Sequence, residues 1–224
     1  MDWNKLRGKL CAVVASVLLC LGVCGCSVNS CTLKLCDSVP VATGKGAPVL
    51  LLAPCADERS EDSKECLGRF GSSILGTDNK VLSDPAPAEV MRAGLVQALQ
   101  EKGIGVVLPP DGTGAGNPGA VANADYTLVW RLKVFSFTKA LDEDLIHNII
   151  RTSIEIAWGV RQSAETKDVL SGVARSSITI KVNRPTIIAP SAASGELQDV
   201  FRRSVKEACD KVAADIAANR DGSK

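Results

Sequence analysis

The residues with the most chemical potential here are the cysteines and one short charged triplet. Nine cysteines occur in 224 residues. Cys11, Cys20 and Cys24 lie in an apolar stretch near the N-terminus, and Cys26 directly follows a glycine. Downstream stand Cys31, Cys36, Cys55, Cys66 and Cys209. Cys55 and Cys66 flank a polar loop (CADERSEDSKEC), and in an oxidising compartment a local disulfide between them is expected. Cys31 and Cys36 could pair as well. The four-residue spacing of that second pair does not make a metal site, because no matching pair or histidine cluster follows. Cys209 falls on the apolar stripe of a helix and reads as a buried, inert thiol.

Other constellations carry less. His147 is the one histidine, and it follows Asp142, Glu143 and Asp144 in a polar turn. No nucleophile motif accompanies it. The acidic trio lacks the spacing and central glycine of an EF-hand loop. The run Gly112-Thr113-Gly114-Ala115-Gly116 has no Gly-Lys-Ser/Thr and no helix start after it, so it reads as a flexible loop and not a phosphate cradle. No catalytic residue, metal site or cofactor is expected. Asp57 and Arg59 could pair with each other or cap the end of a strand. With Glu58 they could equally form a contact surface for a partner protein. Both readings stay open at this point.

The N-terminus is more specific. Lys5, Arg7 and Lys9 precede an apolar run over residues 10–23. That run is shorter than the roughly 20 residues of a membrane span and has the length of a signal-peptide core. Val23-Cys24-Gly25-Cys26-Ser27 follows, and it resembles the lipobox of bacterial lipoprotein precursors. Cys20 and Cys24 have bulky residues before them, whereas Gly25 would fit a protease pocket that admits small side chains. The resemblance implies cleavage after residue 25, a diacylglyceryl group on Cys26 and an anchor of several acyl chains, each buried CH₂ adding roughly 0.8 kcal/mol. Ser27, in place of aspartate, resembles outer-membrane sorting in enteric-type bacteria, with the protein facing the periplasm; the inner membrane is the other location.

The elements that must position these residues follow from periodicity. Residues 1–25 read as the signal peptide and 26–47 as a lipidated flexible tether, which could reach about 65 Å if fully extended. Residues 48–219 form the folded domain, and 220–224 a disordered tail. Residues 49–53 (VLLLA) are a buried central strand, and 54–87 a long polar loop. A helix starting near the prolines ends at Gly103, with Val90, Met91, Leu95, Ala98 and Leu99 on its apolar stripe. Gly94 weakens this helix by about 1 kcal/mol relative to alanine and marks a close packing contact. A second strand spans 104–108. Three long strands in a meander follow: in the first, Tyr126, Leu128, Trp130, Leu132 and Val134 share a face; in the second, alternate residues from Ile150 to Val160; in the third, Ile178, Ile180 and Val182. Trp130, Ile154, Trp158 and Ile178 should be mostly buried. A last helix from about Ser194 carries Leu197, Val200, Phe201, Val205, Ala208, Cys209, Val212 and Ile216. The expected fold is α+β: one mixed five-stranded sheet in the order β-α-β-β-β-β, with two helices on one face.

A net charge of +1 and 4% aromatic residues give no sign of a nucleic-acid partner. The lipobox at Cys26, the strand VLLLAP, Asp57-x-Arg59, the helix EVMRAGLVQALQEKGIGVV and Ala124-Asp125-Tyr126 opening a long strand together resemble the YajG-like bacterial lipoproteins. The pattern is also similar to transport-auxiliary lipoproteins and to lipoprotein activators of peptidoglycan synthases. The resemblance implies a non-catalytic envelope accessory that binds an envelope protein. Its alternatives are a lipid-handling auxiliary of an envelope transporter, with an apolar groove beside residues 185–190 (PTIIAP), and a peptidoglycan-synthase activator.

Overall fold

A computed structural model describes residues 30–36, 48–60, 63–72, 77–109, 124–141, 147–162, 167–183 and 190–221. The apolar N-terminal run, Cys26, the glycine run at 112–116, the acidic trio at 142–144 and the stretch 185–189 expected beside an apolar groove lie outside them. The protein is α+β, with two helices and a mixed main sheet, as expected, but the strands number more than five.

The main sheet has six strands. Its frame is β7 (Tyr126–Leu141), β8 (His147–Gln162) and β9 (Asp168–Asn183), an antiparallel meander. The apolar strand β2 (Val49–Leu52) lies parallel to β7 on one side and parallel to β6 (Gly105–Val107) on the other. Helix α1 (Pro87–Glu101) links β2's side of the chain to β6. Proline at its first turn and Gly103 just past its end, at a φ of +72°, set its limits. Helix α2 (Pro190–Asp221) starts four residues before the expected Ser194.

The sixth strand is β3 (Ala56–Asp57), which continues along β7 where β2 stops. β2 pairs with Tyr126 to Leu128, and β3 with Arg131 and Leu132. Pro54 has no N–H to donate in the gap. The Trp130 indole fills it, donating to the Ala53 carbonyl at 2.8 Å.

Residues 31–34 and the expected loop at 54–87 depart further from the sequence reading. They build a second, three-stranded sheet in the order β1-β5-β4, from β1 (Cys31–Lys34), β4 (Cys66–Ser72) and β5 (Thr77–Asp84). β1 runs parallel to β5, and β4 antiparallel to it. Leu33, Leu67 and Val81 are fully buried. The strands were hidden because each has only one or two apolar anchors, and β1 finds its partner about fifty residues away.

The core lies between the main sheet and the helices. Every residue named above for the apolar stripes of α1 and α2 is buried, as are Trp130, Ile154 and Trp158; Ile178, on the outer strand β9, is half-buried. One phase was misread. A bulge at Lys133, between the pairs Leu132–Ile156 and Val134–Glu155, shifts the alternation by one residue. Phe135 and Phe137 therefore face the core, and Val134 does not share their face. Both rings meet Phe201 of α2.

Gly94 marks the point where the helices touch. A Cβ there would lie 2.8 Å from Cys209 Sγ and 3.0 Å from Val205 Cγ1. Gly94→Ala is thus expected to lower stability by about 1–3 kcal/mol through overpacking, despite the gain of about 1 kcal/mol in helix propensity. Thermal melts of Gly94→Ala, Cys209→Ala and the double variant check this. The double variant should recover part of the loss, and strictly additive changes would refute the contact.

Candidate docking site beside β3

The charged triplet straddles the edge of the main sheet. Asp57 ends β3, and the Glu58 N–H donates to the Leu132 carbonyl at 3.0 Å, extending the pairing by one residue. Side chains alternate along this extended segment. Asp57 and Arg59 turn inward and Glu58 outward.

Arg59 is the hub. Its Nε donates to Asp57 Oδ1 at 2.8 Å and its Nη2 to Asp57 Oδ2 at 2.7 Å. The same guanidinium reaches across the loop, with Nη1 donating to the Cys66 carbonyl at 2.8 Å and Nη2 to the Lys64 carbonyl at 2.6 Å. The Arg59 backbone N–H also donates to Asp57 Oδ1, at 3.2 Å. The Arg59 side chain is 4% exposed and that of Asp57 14%. A planar fork matches this set of acceptors as a lysine ammonium could not. The hydrogen bonds from Arg59 hold the Asp57 carboxyl below its ordinary range.

Glu58 faces the opposite way, toward Lys133, with Arg131 3.7 Å from its carboxylate. The hydrogen bond from Lys133 keeps its carboxyl below the usual value. Lys133 is the bulge residue, so the irregularity that rephases β7 also places a second cation beside Glu58. The result is an exposed acid flanked by two bases, on a base fixed from behind by the Asp57–Arg59 clamp.

Cys55 and Cys66, at the ends of this loop, are not bridged to each other in the structure. Cys66 is buried at the start of β4, and its Sγ lies 3.7 Å from the Gly68 carbonyl as donor. Cys55 is half-buried, and burial pushes its thiol up to about 11. Arg59 does the job expected of the disulfide, since it ties residue 59 to residues 64 and 66. Cys31, Cys36 and Cys209 are not disulfide-bonded either. Cys209 is fully buried against α1, and burial raises its thiol well above the ordinary value.

His147 opens β8 opposite Asn183. Among the described residues no group of three or more histidine, cysteine or acidic side chains could hold a metal ion, and no helix is long and apolar enough to cross a membrane. Sequence reasoning missed a buried polar seam between sheet and α2. The hydroxyls of Thr152 and Ser204 share a hydrogen bond of 2.6 Å, and Ser176 donates to Glu207. The even spacing of Thr152 with Ile150 and Ile154 was the available signal. A groove of about 240 Å³ also lies between the helices, floored by Val90, Ala93 and Val205 and rimmed by Glu101, Arg202 and Lys206.

No protein-family model matches the chain, and no curated protein matches it either. Solved structures do. The crystal structure of protein XCC0632 from Xanthomonas campestris, described under the family name DUF330, aligns with a TM-score of 0.50 at 16% identity, over 88% of this chain and 99% of that one. A candidate homologue of the neuraminyllactose-binding hemagglutinin from Helicobacter pylori aligns at 0.49 and 11% identity, over 85% and 95%. A candidate lipoprotein from Caulobacter crescentus CB15 aligns at 0.42 and 20% identity, over 60% and 85%. The first of these likenesses establishes a shared fold and nothing about activity.

Proposed function

We propose that this chain is a lipid-anchored, non-catalytic accessory of a bacterial cell envelope that docks to an envelope protein. The observation that carries the reading is Val23-Cys24-Gly25-Cys26-Ser27 placed directly after a signal-length apolar run. Lipid on Cys26 is the anchor, and Ser27 favours the outer membrane with the domain facing the periplasm. The YajG-like resemblance and that to peptidoglycan-synthase activators agree with such a role. The structure adds a surface suited to docking. Glu58 stands outward on a corner that Arg59 stiffens, so little ordering would be needed on association. Its charges would set specificity and encounter rate more than affinity.

Two results test this. Mass spectrometry of protein purified from membranes should find an acylated N-terminal peptide beginning at Cys26. A Cys26→Ser variant that stays membrane-bound and takes up labelled palmitate would sink the anchor. For docking, Glu58→Gln should abolish crosslinking to the partner in cells while changing the melting temperature little, since the ion pairs it loses are exposed. Intact crosslinking would remove Glu58 from the interface. A lipid-handling auxiliary would need an apolar groove. The one between the helices, about 240 Å³, falls below the roughly 300–1,000 Å³ of typical ligand pockets, and a wider one of about 730 Å³ beside Ile178 is lined mostly by charged side chains such as Lys102, Arg203 and Lys211. Stoichiometric phospholipid in organic extracts of the purified domain would favour that alternative.

A further inference from the structure

We infer that the protein does not sway on a long tether but rests one end of its sheets on the phospholipid surface that holds its anchor. The end in question carries the finish of β7, the start of β8 and the β4–β5 strand ends. This inference rests on the reading of Cys26 given above.

The argument begins with β1. It starts at Cys31, five residues after Cys26. It is fixed in the body from its first residue, in register with β5 from Cys31 opposite Val81 to Lys34 opposite Asp84. Leu33 is fully buried, and the Lys34 carbonyl accepts a hydrogen bond from Arg202 of α2 at 3.2 Å. The link between lipid and fold therefore spans five residue steps. Fully extended it reaches about 17 Å, against about 65 Å for the tether read from sequence.

Direction follows from neighbouring strands. Cys66 at the start of β4 is tied by Arg59 to β3, beside Leu132 of β7. Two residues on, Gly68 lies under Phe137, where a Cβ would be 3.2 Å from the ring. β4 thus advances toward the same end as β7. Gly68 is also opposite Val81, the partner of Cys31, so Cys31 sits level with Phe137. Read backwards, β1 heads toward that same end as it leaves the fold. Past that level β5 extends four residues, to Thr77, and β7 four residues, to Leu141. At a strand rise of about 3.3 Å per residue, both project about 13 Å beyond Cys31. A link of about 17 Å clears them by only about 4 Å. The strand ends must then meet the headgroups.

Charge is not what selects this surface. Lys139, Arg151 and Lys181 are exposed at this end and suit lipid phosphates, but residues 142–144, between β7 and β8, are acidic. The short link selects it. The opposite end, with Gly103, the finish of β8 and the start of β9, faces away from the bilayer.

The test uses the full-length, lipid-modified protein in nanodiscs of phosphatidylethanolamine and phosphatidylglycerol. It is compared with a variant carrying a 20-residue Gly/Ser spacer between Ser30 and Cys31. Intact mass first establishes acylation of Cys26, and hydrogen–deuterium exchange then maps protection. Residues 138–141 and 147–151 should exchange severalfold more slowly in the short-linked protein than in the spacer variant. Residues 160–162 and 167–169, at the far end, should exchange equally in both and so report that the variant is folded. Equal exchange at the near end, with Cys26 acylated, would overturn the orientation and leave the anchor standing. An unmodified Cys26 would overturn both.

Discussion

Phe201→Ala should lower the stability of the domain by about 3–5 kcal/mol. The ring is fully buried. It stacks on Phe135 with centroids 5.3 Å apart and planes 5° from parallel, and meets Phe137 edge-on at 6.3 Å. Such pairs add about 0.5–1.5 kcal/mol each beyond burial. The three rings join α2 to the half of β7 that lies past the Lys133 bulge, and this joint also borders β1. Phe201→Leu keeps most of the volume and should cost only about 1 kcal/mol. Urea unfolding of a version lacking residues 1–26, followed by tryptophan fluorescence, gives both values. A loss under about 1 kcal/mol for Phe201→Ala would show that the ring cluster is not the joint described.

The second large effect is expected at Arg59. Arg59→Ala leaves a mostly buried carboxylate without its partner and two loop carbonyls without their donors, a change that costs about 3–5 kcal/mol. Arg59→Lys should not restore the loss, because one ammonium cannot serve Asp57, Lys64 and Cys66 together. The effect depends on pH in a definite sense. Arg59 holds the Asp57 carboxyl below its ordinary value of 3.8, so the pair's contribution is complete above that pH. It fades as the pH falls through the lowered value, because protonation then removes the charge that Arg59 holds. Wild-type stability should therefore decline with acid more steeply than that of Arg59→Ala. Parallel declines between pH 5 and 2 would mean that the pair contributes no charge-dependent stability.

Much of the main sheet and both helices could be read from the chain. β8 alternates from Ile150 to Val160 without interruption, and α2 repeats its apolar residues at helical spacing over more than five turns, so local pattern and tertiary burial agree. The misreadings occurred where burial depended on distant partners. Leu33 and Val81 stand in short segments with few apolar residues, and their strands exist because 31–34 pairs with 81–84. The phase of β7 beyond Leu132 turns on one inserted residue, which alternation alone cannot locate. The Asp57–Arg59 pair was legible as a local ion pair. Its reach to the carbonyls of residues 64 and 66 was not, since backbone acceptors leave no trace in residue types. For the same reason the guanidinium that closes the loop between Cys55 and Cys66 could not be read from the chain.

The seating of β1 also constrains the order of events in folding. The hydrogen bond from Arg202 to the Lys34 carbonyl joins residues 168 positions apart. A chain emerging from its N-terminus cannot complete this contact until almost all of it is available. Contacts of such separation carry a large loop-closure cost and slow the final step. The nascent chain accordingly cannot fix β1 to α2 before its last helix has been made.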